Sequence, residues 1–228
     1  MNFTVEKTLP KGNLKTSSAV IQTQWEVPDE KTRNKTLKRI DKVFKKYGST
    51  HHSARGMKSY SCFLNTDGKR ITHFSQWKDK AAIDYYQAND PEERQKELLA
   101  GLDIKRTWGN IYFPYKTYTG QGKLSDTGLI VFVKQYFKQK GQAEEFLDLV
   151  GEKAHQIDGL ITNTFYINAE KDEFLNYALW KDERLYDSFL KHNDSQTKKE
   201  WSEVVANYEG RIKSKGTLLR HKDFVRIY

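Results

Sequence analysis

With 228 residues, 39 Lys and Arg against 30 Asp and Glu, and a net charge of +9, the chain has room for one large domain or two of about 100 residues. Its 13% of aromatic residues can fill packed cores, which excludes a disordered chain, and no apolar run approaches the roughly 20 residues of a membrane helix. The basic residues are interleaved with acidic ones, so the charge by itself selects no nucleic acid, membrane surface or acidic partner.

The leading arm, residues 1 to 15 (MNFTVEKTLPKGNLK), lacks the apolar run of a signal peptide, and Cys62 alone cannot close an intramolecular disulfide. A reducing cytoplasm is the expected compartment. AVIQTQWEV (19 to 27) has the β-branched and aromatic content of a strand, and Leu37, Ile40, Val43, Phe44 and Tyr47 then recur at helical spacing. Gly56 opens a second strand, KSYSCFLN, which turns through TDGK into a third, RITHFSQW. After Trp77-Lys78-Asp79 comes a helical region, interrupted at NDPEE and resumed with Leu98, Leu99 and Leu102. WGNIYFPYKTY (108 to 118) closes the unit as a fourth strand.

The same order then repeats at a constant offset of 103 residues between Gly56/Gly159 and Asp90/Asn193. Gly56, Asn65, Trp77, Lys78, Asp79 and Asp84 are matched by Gly159, Asn168, Trp180, Lys181, Asp182 and Asp187. LIVFVKQYF (129 to 137) is the first strand of the second copy, and Phe146, Leu149, Val150, Ala154 and Ile157 form its helical stripe. ITNTFYIN and EFLNYALW are its hairpin. Trp201, Val204, Val205 and Tyr208 follow the interruption at HNDSQ, and GTLLRHKDFVRIY (216 to 228) is the last strand.

Each copy reads β-α-β-β-α-β, a ferredoxin-like unit of the α+β class with helices on one face of an antiparallel sheet. The predicted domains are 16–118 and 128–228, joined by a Gly/Ser/Thr-rich linker (119–127) long enough to let the two sheets pack together within one molecule. A monomer with this internal pseudo-dimer, or a homodimer of it, is the expected assembly.

Side chains alternate along a strand, so Asn176, Ala178 and Trp180 share one face of the third strand of copy two. An amide, a small residue and an indole in a row leave room above Ala178, between hydrogen-bonding groups about 13 Å apart. Tyr186, six residues past Trp180, reaches the same space from the following helix. Each of these has a plain structural reading too: Trp followed by Asp is a common pairing of core residue and helix cap, and Tyr186 can simply pack. An amide at Asn176 is harder to explain by packing. Copy one carries His73, Ser75, Trp77 and Ile83 at these places, so the same chemistry is expected in copy two rather than copy one.

The doubled pattern with Trp-Lys-Asp leading into a helix resembles the antibiotic biosynthesis monooxygenase superfamily of dimeric α+β barrels, from about residue 16 onward. The spacing of Asn176, Trp180 and Tyr186 is similar to that of its cofactor-independent monooxygenases acting on aromatic polyketides and quinols. The resemblance implies an oxidoreductase taking an electron-rich aromatic substrate and dioxygen with no metal or flavin, Asn176, Trp180 and Tyr186 being catalytic. Ala178, Phe189, His73 and Trp77 would line the substrate sites. A non-catalytic small-molecule-binding or stress protein on the same fold is the alternative.

Haem-degrading members of the superfamily use a histidine on the second helical region. Lys96 and Lys199 stand at that position here, with His192 and His155 only nearby, so a histidine-ligated haem is not expected. The His51-His52 pair lacks the further ligands of a metal site. RNA-recognition modules share the β-α-β-β-α-β order, but neither GKRITHFSQW nor DEFLNYALW supplies the Arg/Lys-Gly-aromatic run that stacks bases.

Overall fold

The computed structural model describes residues 18–51, 56–151, 157–168, 170, 172–191 and 196–227. Expectations for the leading arm, His52, Ala154, His155 and His192 lie outside them. The chain divides into two compact units: unit 1 runs to Ile111 and regains the chain from Asp223 onward, while unit 2 is Tyr112–Lys222.

Unit 1 contains β1 (Ala19–Glu26), α1 (Glu30–His51), β2 (Met57–Asn65), β3 (Arg70–Trp77), α2 (Lys80–Ala88), α3 (Glu92–Leu99) and the first part of β4 (Lys105–Thr119). β3 is the centre of its antiparallel sheet, flanked by β1 and β2, with Thr23 opposite His73 and Ile21 opposite Ser75. The β2–β3 hairpin turns at Gly68, whose φ of 73° is open to glycine. α1 and α2 cover the face carrying Ile21, Trp25 and Ile71. Leu37 and Ile40 pack on Ile71 and Cys62, and Phe44 and Ile83 pack with Ala19, Met57 and Trp77. α3 ends at Leu99, so Leu102 follows the helix rather than extending it.

Unit 2 repeats the order with the rest of β4, β5 (Leu129–Phe137), α4 (Gln142–Gly151), β6 (Leu160–Asn168), β7 (Glu173–Trp180), α5 (Glu183–Lys191), α6 (Gln196–Glu209) and most of β8 (Ile212–Arg226). Its sheet order is β8-β5-β7-β6-β4, all neighbours antiparallel. Phe146, Leu147 and Val150 of α4 pack on Phe137, Phe165 and Phe174. Both units are thus ferredoxin-like. The sequence boundaries followed the repeat, whereas the compact units break inside β4 and β8, each 15 residues long. No described helix is long and apolar enough to cross a membrane.

The duplicated Gly and Trp-Lys-Asp positions build the same corner in each unit. The Lys78 N–H donates to the Gly56 carbonyl at 2.7 Å and the Lys181 N–H to that of Gly159 at 2.9 Å. Asp79 caps α2 by accepting from the Ala82 N–H at 2.8 Å, and Asp182 accepts from that of Leu185 at 2.7 Å. Gly56 and Gly159 have φ of 96° and 78°, and a Cβ on Gly159 would lie 2.7 Å from Leu185 side-chain atoms. Gly159→Ala is therefore expected to cost about 1–3 kcal/mol through backbone strain and the clash with Leu185. A lowered urea midpoint at unchanged slope is the measurement.

Unit 2 also buries a charged group inside its sheet. The Lys134 ammonium lies 3.0 Å from Glu173 Oε1, with side chains only 3% and 0% exposed, and the Tyr112 hydroxyl donates to the same carboxylate. The Lys134 ammonium sits over the Tyr136 ring, 4.7 Å from its centre.

Candidate functional site

Unit 1 holds a cavity of about 600 Å³ between its sheet and its helices. Alternation along the strands gives it Ile21, Thr23 and Trp25 from β1 and His73, Ser75 and Trp77 from β3. Met57 and Tyr60 of β2 and Phe44 of α1 add apolar surface. Tyr86 of α2 and Arg94 of α3 complete the helical side, with Asp90 between them; Arg106 of β4 lies at the wall.

The rings are in mutual contact: Trp25 on His73 at 4.2 Å, Phe44 on Tyr60 at 5.7 Å and Trp77 on Tyr86 at 5.0 Å between centres. Several of its polar groups are engaged with one another. The Trp77 indole N–H donates to Ser75 Oγ at 2.8 Å, the Tyr60 hydroxyl is 2.7 Å from His73 Nδ1, and Arg94 pairs with Asp90 and donates to the Tyr86 hydroxyl at 2.9 Å. His73 Nε2 is buried without a hydrogen-bond partner. Burial, then the nearby Arg106 charge, lowers the His73 pKa to about 3, so the imidazole is neutral at physiological pH. Burial likewise raises the Tyr60 phenol well above its usual range and the Cys62 thiol to about 12.

In unit 2 the expected residues come together differently. Trp180 stands edge-on to Tyr186, 5.0 Å between centres, and 5.4 Å from Phe189, in a cluster with Ala178, Leu129, Val131, Ile157 and Leu160. Ile157, expected on the helical stripe, is a buried residue of a bend. Ala178 occupies the place of Ser75 and offers no oxygen, so Trp180 Nε1 is buried without a partner, as is Asn176 Oδ1. The Tyr186 phenol, under the Arg220 guanidinium at 4.9 Å, is raised to about 12, chiefly by burial.

Among the described residues, no three of His, Cys, Asp and Glu converge on a metal position. Lys96 is on α3, ion-paired with Glu92 at 2.7 Å, and Lys199 is on α6. The sequence reading found His73 and Trp77 on this wall but missed Tyr60, Arg94 and Arg106. Tyr60 had a signal available: two residues from Cys62 on a strand, it faces the same side.

No family model matches the chain, and no curated protein matches it. Solved structures do. An anthrone oxidase-like protein is 13% identical with a TM-score of 0.72, over 94% of this chain and 95% of its own. A candidate monooxygenase from Fusobacterium nucleatum is 10% identical with a TM-score of 0.59, over 92% and 94%. A chlorite dismutase from Candidatus Nitrospira defluvii is 8% identical with a TM-score of 0.55, over 93% and 95%. At such identities the likeness is one of architecture. In fold, the chain is thus an α+β protein of two ferredoxin-like units, an architecture it shares with these solved structures.

Proposed function

We propose that the protein is a cofactor-independent monooxygenase that holds an electron-rich hydroxy-aromatic compound in the unit 1 cavity. The observation that carries this reading is the cavity itself, of a size suited to a small ligand, walled by five aromatic rings and holding the buried, unsatisfied Nε2 of a neutral histidine. The anthrone oxidase-like and monooxygenase likenesses support the reaction class.

The chemistry needs little from the protein beyond positioning and exclusion of water. An ionised enol gives one electron to dioxygen, and the radical and superoxide join through a new carbon–oxygen bond. The carbon-bound peroxide then breaks its O–O bond. One oxygen stays as a carbonyl, and the other leaves as hydroxide with the hydrogen from that carbon. A donor aimed at the substrate oxyanion is the useful group, and His73 Nε2 is available for it.

Unit 2 supports a second reading, because Trp180 Nε1 and Asn176 Oδ1 are both unsatisfied while Trp77 is closed by Ser75. There Asn176 and Trp180 would orient the substrate oxygen and Tyr186 would relay a proton. Oxygen uptake with a panel of hydroquinones and anthrones separates the readings. His73→Ala is expected to lower the rate on the order of 10²-fold, with Asn176→Ala having little effect. The reverse pattern moves the reaction to unit 2. No heat-sensitive uptake with any compound leaves a binding protein.

A further inference from the structure

The groups behind His73 bear on which ring nitrogen carries its proton. Cys62 Sγ lies 3.7 Å from both the Tyr60 hydroxyl and His73 Nδ1, and that hydroxyl lies 2.7 Å from the same Nδ1. Both the thiol and the phenol keep their protons at neutral pH because burial disfavours their anions. With two protonated groups, the phenol and the thiol, facing Nδ1, that nitrogen is read as the acceptor and the imidazole proton is assigned to Nε2. The cavity is thereby offered a donor.

The second observation is an unbalanced charge. Arg94 is matched by Asp90, but Arg106 has no ion pair among the described residues. Its guanidinium occupies space that Gly109 leaves open: a Cβ there would be 2.7 Å from Arg106 Nη2 and 2.8 Å from Thr23 Oγ1. Thr23 is the strand partner of His73. Donor and uncompensated cation therefore meet on one wall of an otherwise aromatic cavity.

Resting on the placement of the substrate in unit 1, we propose that the cavity takes its ligand as an oxyanion. The ligand is an acidic hydroxy-aromatic whose ionised oxygen accepts from His73 Nε2–H and faces Arg106. Arg106 is solvent-exposed, so salt weakens its contribution, and its role is selectivity rather than bulk affinity.

The test is equilibrium binding, read by quenching of tryptophan fluorescence, of two probes of nearly equal shape. Lawsone, a hydroxynaphthoquinone ionised at neutral pH, is compared with its uncharged methyl ether. Lawsone should bind about tenfold more tightly. That preference should disappear in Arg106→Gln, persist in Arg106→Lys, and fall in His73→Phe, which keeps the stacking on Trp25. Equal binding of the two probes, failure of both to bind, or a preference that survives Arg106→Gln overturns the proposal. A preference for lawsone in a protein that consumes no oxygen with any substrate sustains the oxyanion site and removes the oxygenase reading instead.

Discussion

Glu173→Gln is expected to destabilise the protein by about 3–5 kcal/mol at pH 7, far more than an ordinary surface carboxylate would. The glutamine keeps the shape and can still accept from Tyr112, but it leaves the Lys134 ammonium without its counter-charge where the side chain is 3% exposed. Deprotonating Lys134 offers an escape. From an ordinary pKa near 10.4, that costs at most about 5 kcal/mol at pH 7. The loss should therefore shrink as pH rises above 7, by up to ~1.4 kcal/mol per unit, because the unfolded chain then holds more protons than the folded one and stability rises with pH. Replacing all three members, Lys134→Met, Glu173→Leu and Tyr112→Phe, should recover most of the loss, since a buried pair exchanged for apolar groups is near neutral. Urea melts at several pH values supply the measurement. A Glu173→Gln loss below about 1 kcal/mol would mean that the pair is solvated in solution.

The second large effect is an acid limb that belongs to His73. Its folded pKa of about 3 lies below the unfolded value near 6.5. Between those values the unfolded chain binds a proton that the folded one refuses, so stability falls as pH drops from about 6.5 towards 3. The slope approaches ~1.4 kcal/mol per unit, and the window down to about pH 4.5 is the cleanest, because most carboxylates titrate below it. Tyr60 and Cys62 on β2 keep their protons throughout, so neither confuses the assignment. His73→Gln removes the titrating ring, and the difference between its stability–pH curve and that of the parent isolates the histidine. Parallel curves between pH 6.5 and 4.5 would show that water reaches the ring and that it titrates normally.

The architecture was legible because a fixed offset and strand alternation are local signals. The Gly and Trp-Lys-Asp pattern proved to be a corner, with Asp79 and Asp182 capping helices, which is the plain reading weighed beside the functional one. The location of the cavity was not legible. Alternation puts His73 and Asn176 on equivalent faces but says nothing about the volume above them, which depends on how Tyr86, Arg94 and Leu98 pack over the sheet. Arg106 was missed for a related reason. Lys105, Arg106 and Thr107 lack strand-like composition, yet they join β4 through tertiary pairing, marked by the Thr107 hydroxyl donating to the Gln24 carbonyl at 3.3 Å. The buried Lys134 was hidden as well, since a lysine within LIVFVKQYF looks like the polar phase of a strand until its partner Glu173, on the neighbouring strand β7, is known.

Ser75 closes the Trp77 indole while Ala178 leaves that of Trp180 open. In an assembly of identical chains encoded once, a substitution at this place changes every copy together, so one lock cannot be kept while the other is released. With both units on one chain, that constraint is absent. Ser75→Ala and Ala178→Ser are independent edits, and a variant library can scan one unit while the other is left unchanged.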